Sequence, residues 1–344
     1  MPWTSCSQCR VPPRDPFASF SRLASGSDLT RVAVPSISFC QTDILRREVR
    51  QKHPDTRFNE TQRRMSDDEL VEFLSDRDAA IMGLENLTAE MLDRLPDLKV
   101  VSRMGVGLDN VDPAALRDRG IRIGWTGGVN KQSVAELTIA FAVCALRHVA
   151  PLYTDMRNGG RPGLRMGRHL GGRVVGLHGC GHVGKEIIRL LQPWGCEILA
   201  CDIVDFPEFY AEFGVTPVSF EELVARSEVL SLHLPLNDST RGLYTNSVLG
   251  RMRPDSVLIN TCRGGIVDEA ALKRRLYDGQ LGAACFDAFA VEPPDDDALL
   301  NAPNFLCTPH LGGSAEEARL AMGRAAIRGI EENFLPKPGV FPFE

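Results

Sequence analysis

The stretch from Arg173 to Asp202 constrains the fold of this 344-residue chain more than any other part of the sequence. It reads RVVGLHGCGHVGKEIIRLLQPWGCEILACD: a short apolar run, three glycines spaced as GxGxxG, an amphipathic run, and a second apolar run that ends at Asp202. This order predicts a buried parallel strand, a tight turn, a crossover helix and a second strand. A β-α-β unit of this kind is typical of a dinucleotide-binding domain.

The glycines of this stretch have separate predicted tasks. Gly179 permits the tight turn out of the strand, Gly181 lets the backbone approach a pyrophosphate, and Gly184 lets the helix pack close to the strand. The helix then begins at about His182 and Val183, whose backbone N–H groups are free of helical partners and suit phosphate oxygens. These residues are therefore predicted to bind the cofactor.

The end of the second strand indicates which dinucleotide fits. A carboxylate at Asp202 can accept hydrogen bonds from the ribose diol of adenosine, and its charge would repel a 2′-phosphate. The residues that follow, Ile203-Val204-Asp205, supply no arginine to bind such a phosphate. The predicted cofactor is NAD.

The same alternation of strand and helix patterns extends over most of the chain. Short β-type runs alternate with helical runs over residues 31–124 and again over residues 173–307. The sequence therefore predicts an α/β fold with two Rossmann-like domains, each built on a parallel sheet. An apolar helix is expected over 133–148 and a final amphipathic helix over 315–334. Residues 1–29, rich in Pro, Ser and Arg, are expected to form a flexible leader.

Composition argues against several classes of partner. A net charge of -6 gives no reason to expect nucleic acid, and no window approaches the roughly 18 continuous apolar residues of a membrane span. The first twenty residues contain no apolar core of a signal peptide, which favours the cytoplasm. Cys6 and Cys9 form a CxxC, but no second pair stands at zinc-site spacing, so no metal site is predicted.

Polar residues that can carry chemistry follow three of the later predicted strands. Arg263 follows the run 256–259, Asp287 and then Glu292 follow the run 282–286, and His310 follows the run 304–307. In an open parallel sheet, ligands bind beyond the carboxyl ends of the strands, so these groups are expected to meet beside the cofactor. A cation, an imidazole and two carboxylates next to a hydride carrier are what oxidation of a hydroxy acid requires.

The chain resembles the D-isomer-specific 2-hydroxyacid dehydrogenases from about Arg31 to its C-terminus. The resemblance rests on five motifs in order: GLHGCGHVG, SLHLPLNDST, INTCRGGIVDEAAL, FDAFAVEPP and TPHLGG. It implies that Arg263 binds the substrate, that His310 is the general acid/base, and that Glu292 is the carboxylate partner of His310. It also implies that Asp287 holds the nicotinamide carboxamide.

The resemblance extends the cofactor site and the domain plan. It implies further cofactor contacts along the later motifs, from His233, Pro235, Thr240, Thr261, Cys262, Arg263, His310, Gly312 and Gly313. It implies an NAD-binding domain over 126–310, inserted into a substrate-binding domain formed by 30–125 and 311–344. It also implies a homodimer, which the apolar helix over 133–148 supports.

The expected function is NAD-dependent interconversion of a D-2-hydroxy acid and its 2-oxo acid. The backbone of Gly105, Val106 and Gly107 would bind the substrate carboxylate together with Arg263, and Arg103 would be available for a phosphate or second carboxylate. This loop resembles that of phosphoglycerate dehydrogenases, although residues 81–85 lack the second arginine that those enzymes often bring. Phosphoglycerate or phosphite oxidation, or a non-catalytic role as an NAD-sensing corepressor, remain alternatives.

Overall fold

The computed structural model describes residues 31–163 and 165–339. The predicted leader 1–29, with Cys6 and Cys9, lies outside these described residues. The described chain forms two compact units. The first unit contains residues 31–130 and 314–339, and the second unit is Lys131–Gly313. The boundaries expected from the sequence, 126 and 310, lie a few residues before the observed ones.

The strands and helices are numbered in chain order. The strands are β1 Arg31–Val34, β2 Asp55–Phe58, β3 Ala79–Met82, β4 Val100–Arg103, β5 Arg122–Gly124, β6 Val174–His178, β7 Glu197–Cys201, β8 Val215–Pro217, β9 Val229–Leu232, β10 Val257–Asn260, β11 Ala283–Phe286 and β12 Phe305–Cys307. The helices are α1 Ile37–Cys40, α2 Asp43–Lys52, α3 Asp67–Leu74, α4 Ala89–Asp93, α5 Pro113–Asp118, α6 Lys131–Leu146, α7 Val149–Arg157, α8 His182–Leu191, α9 Pro207–Phe213, α10 Phe220–Arg226, α11 Asn246–Leu249, α12 Glu269–Tyr277, α13 Asp297–Leu300 and α14 Glu316–Gly329.

Each unit is built on one parallel sheet. The first sheet has the strand order β2-β1-β3-β4-β5, and the second has the order β12-β11-β10-β9-β6-β7-β8. All neighbouring strands within both sheets run parallel. The predicted fold class, two Rossmann-like α/β domains, is confirmed. In the second sheet the order reverses between β6 and β9, which is where an open α/β sheet binds its ligand.

The first sheet is buried on both faces. On one face Val32 and Ile81 pack with Ile327 of α14; on the other, Ala80 packs with Leu70 of α3. Helix α3 begins at a capping box: the Ser66 side chain accepts from the backbone of Glu69, and the Glu69 carboxylate accepts from Ser66 N–H.

The second sheet is equally enclosed, which explains its continuous apolar strands. Residues of β9, β10 and β11 are buried throughout. Leu258 and Phe286 pack on one face, whereas Ile259 and Cys285 pack on the other, in the same cluster as Phe141 of α6.

The last helix is shorter than the sequence pattern predicted. Helix α14 ends at Gly329 rather than Phe334, because Phe334 forms an antiparallel bridge with Ile123 beyond the edge of the first sheet. Phe334 N–H donates to Ile123 O over 3.0 Å, and Ile123 N–H donates to Phe334 O over 2.8 Å. The helix is also fixed to the sheet by the Ser102 hydroxyl, which donates to the carbonyl of Ala326 over 2.7 Å.

Helices α6 and α7 differ in burial although they follow each other in the chain. Helix α6 buries Val134, Phe141 and Leu146, among others. Helix α7 buries none of its residues and exposes Tyr153 and Met156. Within the described residues, no single helix is long and apolar enough to cross a membrane; the pair α6 and α7, bent by 68°, reaches that length and hydropathy together.

Candidate active site of the second unit

The glycine turn, residues 179–184, connects β6 to α8. Gly179 has φ 96°, and a Cβ there would lie 2.4 Å from the carbonyl oxygen of His233. A Cβ at Gly184 would lie 2.4 Å from the carbonyl oxygen of Gly179. At Gly181, by contrast, no atom of the described residues other than its chain neighbours lies within 4 Å of the Cβ position. Two of the glycines are therefore required by packing, and the third leaves an open cradle in front of the helix.

Asp202 fixes the turn from the end of β7. Its Oδ2 accepts a hydrogen bond from Cys180 N–H, and its Oδ1 accepts one from Val204 N–H over 2.9 Å. These contacts hold the carboxylate beside the turn while leaving lone pairs for a ribose diol. The open cradle at Gly181, the start of α8 and this carboxylate fit the pyrophosphate and adenosine ribose of NAD.

His182 is exposed at the first position of α8, and Val183 follows it. Partial burial of the ring lowers the pKa of His182, and the positive charges of Lys131 and Lys185 lower it further. The imidazole is therefore disfavoured as a cation, and the predicted contact of this first turn with phosphate oxygens stays a prediction for its backbone N–H groups.

Glu292 and His310 form a hydrogen-bonded pair. The Nδ1 of His310 lies 2.9 Å from Oε1 and 2.8 Å from Oε2 of Glu292. Because a carboxylate only accepts, the Nδ1 atom carries the proton. His310 has φ 53°, a left-handed conformation that is uncommon for a residue with a side chain. Both side chains remain partly exposed, at 46% for His310 and 38% for Glu292.

Asp287 holds the His310 loop, residues 308–312. Its Oδ1 accepts from the Thr308 hydroxyl over 2.6 Å and from Leu311 N–H over 2.8 Å. Its Oδ2 accepts from Gly312 N–H over 2.8 Å. The sequence pointed to Asp287 as a cofactor contact but did not show that this buried carboxylate supports the backbone on both sides of His310.

Arg263 lies in the arginine turn, residues 261–265, directly after β10. The turn is organised by Asn260, whose Nδ2 donates to the carbonyl of Arg263 over 2.8 Å. The Oδ1 of Asn260 accepts from Cys262 N–H over 3.2 Å, and Nη1 of Arg263 donates to the carbonyl of Cys262 over 2.7 Å. The sequence motif includes Asn260 but assigned it no role; its signal is a polar residue that ends a fully buried strand.

The other predicted cofactor residues differ in what their side chains contact. The hydroxyl of Thr261 bonds the hydroxyl of Thr138 over 2.9 Å, so this side chain faces α6. The Nε2 of His233 lies 2.9 Å from the Ser231 hydroxyl, and burial lowers the pKa of His233 to about 3.

Thr240 organises the loop that follows β9. Its hydroxyl donates to the carbonyl of Pro235 over 2.6 Å and accepts from Asn237 N–H over 3.0 Å. Thr240 is buried, whereas Pro235 is exposed. Gly313, also predicted from the motifs, follows Gly312 at the end of the second unit.

These groups share one edge of the second sheet. Arg263, Asp287 and His310 follow the carboxyl ends of β10, β11 and β12, which are neighbouring strands. The glycine turn and Asp202 follow the same ends of β6 and β7. The sequence-predicted cofactor and catalytic residues of this unit are therefore placed along a single edge.

The Arg103 loop, residues 103–107, belongs to the first unit, and the side chain of Arg103 makes contacts that the sequence did not predict. Arg103 is buried, and its guanidinium donates to the carbonyl of Gly83 over 2.6 Å and to that of Gly107 over 3.0 Å. The side chain thus holds backbone, which corrects the expectation that it is available for a phosphate. Trp125, which the sequence gave no reason to notice, donates from Nε1 to the carbonyl of Val106 over 3.0 Å.

The same loop begins with a backbone conformation that favours glycine. Gly105 has φ 144°, and in the described part of the chain no atom beyond its two neighbours lies within 4 Å of a Cβ placed there. Asn110 also reaches the end of β3, donating to the carbonyls of Gly83 and Glu85 over 3.3 and 2.7 Å. Among the described residues, no group of three or more His, Cys, Asp or Glu side chains is placed to hold a metal ion.

The chain is similar in sequence to proteins of known family. Residues 139–312 match the NAD binding domain of the D-isomer specific 2-hydroxyacid dehydrogenases, so the second unit is an NAD-binding domain. The chain is also 33% identical over 276 residues to a hydroxypyruvate reductase of Thermotoga maritima, covering 78% of this chain and 89% of that protein. The chain therefore belongs to the D-isomer specific 2-hydroxyacid dehydrogenase family.

Two further relatives define the extent of the match. The chain is 35% identical over 261 residues to D-3-phosphoglycerate dehydrogenase of Rattus norvegicus, which covers 75% of this chain but 49% of the rat protein. It thus spans about half the length of the phosphoglycerate dehydrogenases that it matches. A crystal structure of a D-isomer specific 2-hydroxyacid dehydrogenase from a Polaromonas species superposes with a TM-score of 0.80 at 26% identity, covering 88% of this chain and 96% of that one.

Proposed function

We propose that the protein is an NAD-dependent oxidoreductase that interconverts a D-2-hydroxy acid and its 2-oxo acid. The observation that carries the proposal is the Glu292–His310 pair, with Nδ1 of the imidazole within 2.9 Å of both carboxylate oxygens. It lies at the same sheet edge as Arg263 and the glycine turn. When bound, NAD accepts a hydride from C2 of the hydroxy acid, and NADH returns it to the oxo acid.

In this proposal His310 is the general acid/base. Because Nδ1–H donates to Glu292, Nε2 is the ring nitrogen that exchanges a proton with the substrate. In the oxidation direction Nε2 takes the proton of the C2 hydroxyl, and in reduction it returns a proton to the carbonyl oxygen. Glu292 keeps the imidazole in this tautomer and stabilises its charged form.

Arg263 binds the substrate carboxylate and polarises the C2 carbonyl. Its planar guanidinium offers paired N–H donors that match a carboxylate, a geometry that lysine does not reproduce. The position of its backbone is set by Asn260, so the side chain extends from a fixed turn.

We further propose a small, unphosphorylated substrate such as hydroxypyruvate. Relatives include both hydroxypyruvate reductase and phosphoglycerate dehydrogenase, so the choice depends on cations available in the first unit. The Arg103 guanidinium already donates to two backbone carbonyls, and residues 81–85 contain no arginine. The engaged donors of Arg103 and the lack of an arginine in residues 81–85 both favour an unphosphorylated substrate.

The first test measures NADH oxidation with glyoxylate, hydroxypyruvate, 2-oxoglutarate, phosphohydroxypyruvate and branched 2-oxo acids. We expect turnover with small 2-oxo acids and a higher kcat/KM for hydroxypyruvate than for its phosphorylated form. The opposite preference would contradict the proposed substrate. Intact NAD affinity with no turnover on any acid would contradict the activity and favour a corepressor-like function.

The second test replaces the proposed acid/base. His310→Ala is expected to lower kcat by about 10²–10⁴-fold, since a positioned proton donor contributes that much. NADH affinity, measured by fluorescence titration, should stay near that of the wild type. His169→Ala is the matched control, because His169 is exposed in the same unit. Near-normal turnover of His310→Ala would remove His310 from this role.

We also propose that the protein forms a homodimer through α7. This helix buries none of its own residues and presents Val149, Tyr153 and Met156, with exposed fractions of 46%, 63% and 68%. Three large apolar side chains on one short helix are typical of a surface that another chain covers. Light scattering should give the mass of a dimer, and Tyr153→Glu with Met156→Glu should give that of a monomer.

A further inference from the structure

The Glu292 segment, residues 288–292, leads from Asp287 to the carboxylate that pairs with His310. Two consecutive N–H groups of this segment are held by glutamate side chains. Phe289 N–H donates to Oε1 of Glu292 over 3.0 Å, and Ala290 N–H donates to Oε1 of Glu269 over 2.8 Å. The peptide plane between Phe289 and Ala290 is therefore fixed from outside the segment by Glu269.

The same peptide lies against the arginine turn. A Cβ at Gly264 would stand 1.8 Å from the carbonyl carbon of Phe289 and 2.3 Å from the backbone nitrogen of Ala290. These distances leave no room for a side chain, so Gly264 packs directly on the peptide plane. Since Gly264 follows Arg263 in the chain, one peptide group connects the arginine turn to the Glu292 segment.

Glu269 is not required at this position as a helix cap. It is the first residue of α12, but the capping residue is Asp268, whose side chain accepts from Ala271 N–H over 2.9 Å. The Glu269 carboxylate instead reaches across to Ala290, which lies 21 residues further along the chain. A role in capping α12 therefore does not account for the hydrogen bond between Glu269 and Ala290 N–H.

The carboxylate of Glu269 also interacts electrostatically with Glu292 of the Glu292–His310 pair. Burial raises the pKa of Glu269, the hydrogen bond from Ala290 N–H lowers it, and the negative charges of Asp296 and Glu292 raise it. Asp296 is itself paired with Lys273, so its charge is partly compensated. Glu292 carries the second of these charges, and it and Glu269 repel each other.

We propose that Glu269 is a positioning residue, which holds the Phe289–Ala290 peptide and thereby sets Glu292 against His310. The inference rests on the proposed function only for its effect on turnover. Glu269 acts in two ways that substitutions separate. Its oxygen accepts the Ala290 N–H, and its charge adds to the negative field around the Glu292–His310 pair. Glu269→Gln keeps the acceptor and removes the charge, whereas Glu269→Ala removes both.

The experiment compares both variants with Glu208→Gln. Glu208 is exposed and, like Glu269, lies in the first turn of its helix, α9, so this control removes the same helix-end charge. Ala290 is exposed; water can replace the lost acceptor, and we expect Glu269→Ala to fold. The measurements are kcat, KM, the pH dependence of kcat/KM, NADH affinity, and the proton resonance of His310 Nδ1–H.

Glu269→Ala is expected to lower kcat about tenfold or more, because a small displacement of Glu292 misplaces the imidazole. NADH affinity should change less than about twofold, since no cofactor contact of the glycine turn is touched. Glu269→Gln should recover most of that kcat, while its pH profile shifts to lower pH, because one negative charge near the Glu292–His310 pair has been removed.

The Nδ1–H resonance needs no substrate. It should remain in Glu269→Gln and shift or broaden in Glu269→Ala. Wild-type kcat and an unchanged resonance in Glu269→Ala would overturn the inference. If Glu269→Ala does not fold, the pH profile of Glu269→Gln decides, and a profile identical to that of Glu208→Gln overturns it. If the wild type turns over no 2-oxo acid, the proposed function fails, and the resonance alone then decides the inference.

Discussion

The glycine turn and the His310 loop lie at the same edge of the second sheet but are held in different ways. In the glycine turn, shape depends on missing side chains: the carbonyls of His233 and Gly179 occupy the space that Cβ atoms would need at Gly179 and Gly184. In the His310 loop, shape depends on a side chain: the carboxylate of Asp287 accepts three hydrogen bonds from the loop. The first region is restricted by backbone packing, and the second by buried polar contacts.

This difference has consequences for mutation. A side chain added at Gly179 or Gly184 meets backbone that cannot move without shifting a strand or a helix. A substitution at Asp287 preserves the overall fold but removes hydrogen bonds that hold the His310 loop. We therefore expect substitutions at Gly179 or Gly184 mainly to lower the free energy of unfolding, and a substitution at Asp287 mainly to lower kcat. Four experiments follow in order of expected effect.

Gly179→Ala should have the largest effect. The new Cβ would clash with the His233 carbonyl, and the residue would have to keep φ 96°, so we expect the free energy of unfolding to fall by about 3 kcal/mol or more. Chemical denaturation followed by circular dichroism measures this change. Gly214→Ala is a control, since its φ is also positive, at 63°, with no atom near its Cβ; equal losses for both variants would attribute the effect to φ alone.

Asp287→Asn should lower kcat by roughly 10- to 100-fold. An amide offers one acceptor oxygen, and its NH₂ group would face one of the N–H donors of the loop, which leaves a buried donor unpaired at a cost of about 1–3 kcal/mol. Steady-state kinetics measure the change, with Asp238→Asn, an exposed loop residue, as control. If kcat stayed within twofold of the wild type, the loop would not need this carboxylate.

Gly181→Ala should weaken NADH binding about tenfold while the free energy of unfolding changes by less than about 0.5 kcal/mol. The Cβ position is open in the protein and would be occupied by the pyrophosphate of the bound cofactor. Fluorescence titration and denaturation on the same sample measure both quantities. A parallel loss of stability and affinity would show that Gly181 is restricted by the protein itself, as Gly179 is.

The smallest expected effect is the pH dependence of stability caused by His178, the residue before the glycine turn. His178 is buried, its Nδ1 lies 2.8 Å from the Tyr244 hydroxyl, and burial lowers its pKa from 6.5 to about 4. Between these values the unfolded chain binds a proton that the folded chain does not, so stability is complete above pH 6.5 and falls as the pH decreases.

For this one site, the expected loss between pH 6.5 and pH 5.5 is about 1 kcal/mol. Denaturation at a series of pH values measures it. His178→Gln should show a correspondingly smaller slope in this window, and His169→Gln, exposed in the same unit, should keep the slope of the wild type. An unchanged slope in His178→Gln would mean that other groups carry the acid sensitivity.

The same contrast explains how far the sequence could be interpreted. The shape of the glycine turn could be predicted because glycine spacing reflects backbone shape directly, and the position of Asp202 followed from its distance along the chain. The His310 loop was predicted only by residue type. That Asp287 accepts from Leu311 and Gly312 depends on three-dimensional proximity between segments 24 and 25 residues apart, which no local pattern encodes.

The first unit was the least predictable. Strand β2, with the sequence DTRF, was missed because a short polar edge strand lacks an apolar run. The expected role of Arg103 omitted its burial, since an arginine after a strand more often faces water. Helix α14 ends earlier than its amphipathic pattern because the bridge between Phe334 and Ile123 requires extended backbone.

That bridge and the Ser102–Ala326 bond also bear on the order of folding during synthesis. The first sheet needs α14, yet α14 leaves the ribosome only after all of Lys131–Gly313 has been made. The second unit has its whole sheet by Gly313. In most multidomain proteins the N-terminal domain folds first. Here we expect the reverse order, because the first unit keeps one apolar face of its sheet exposed until α14 has been synthesised.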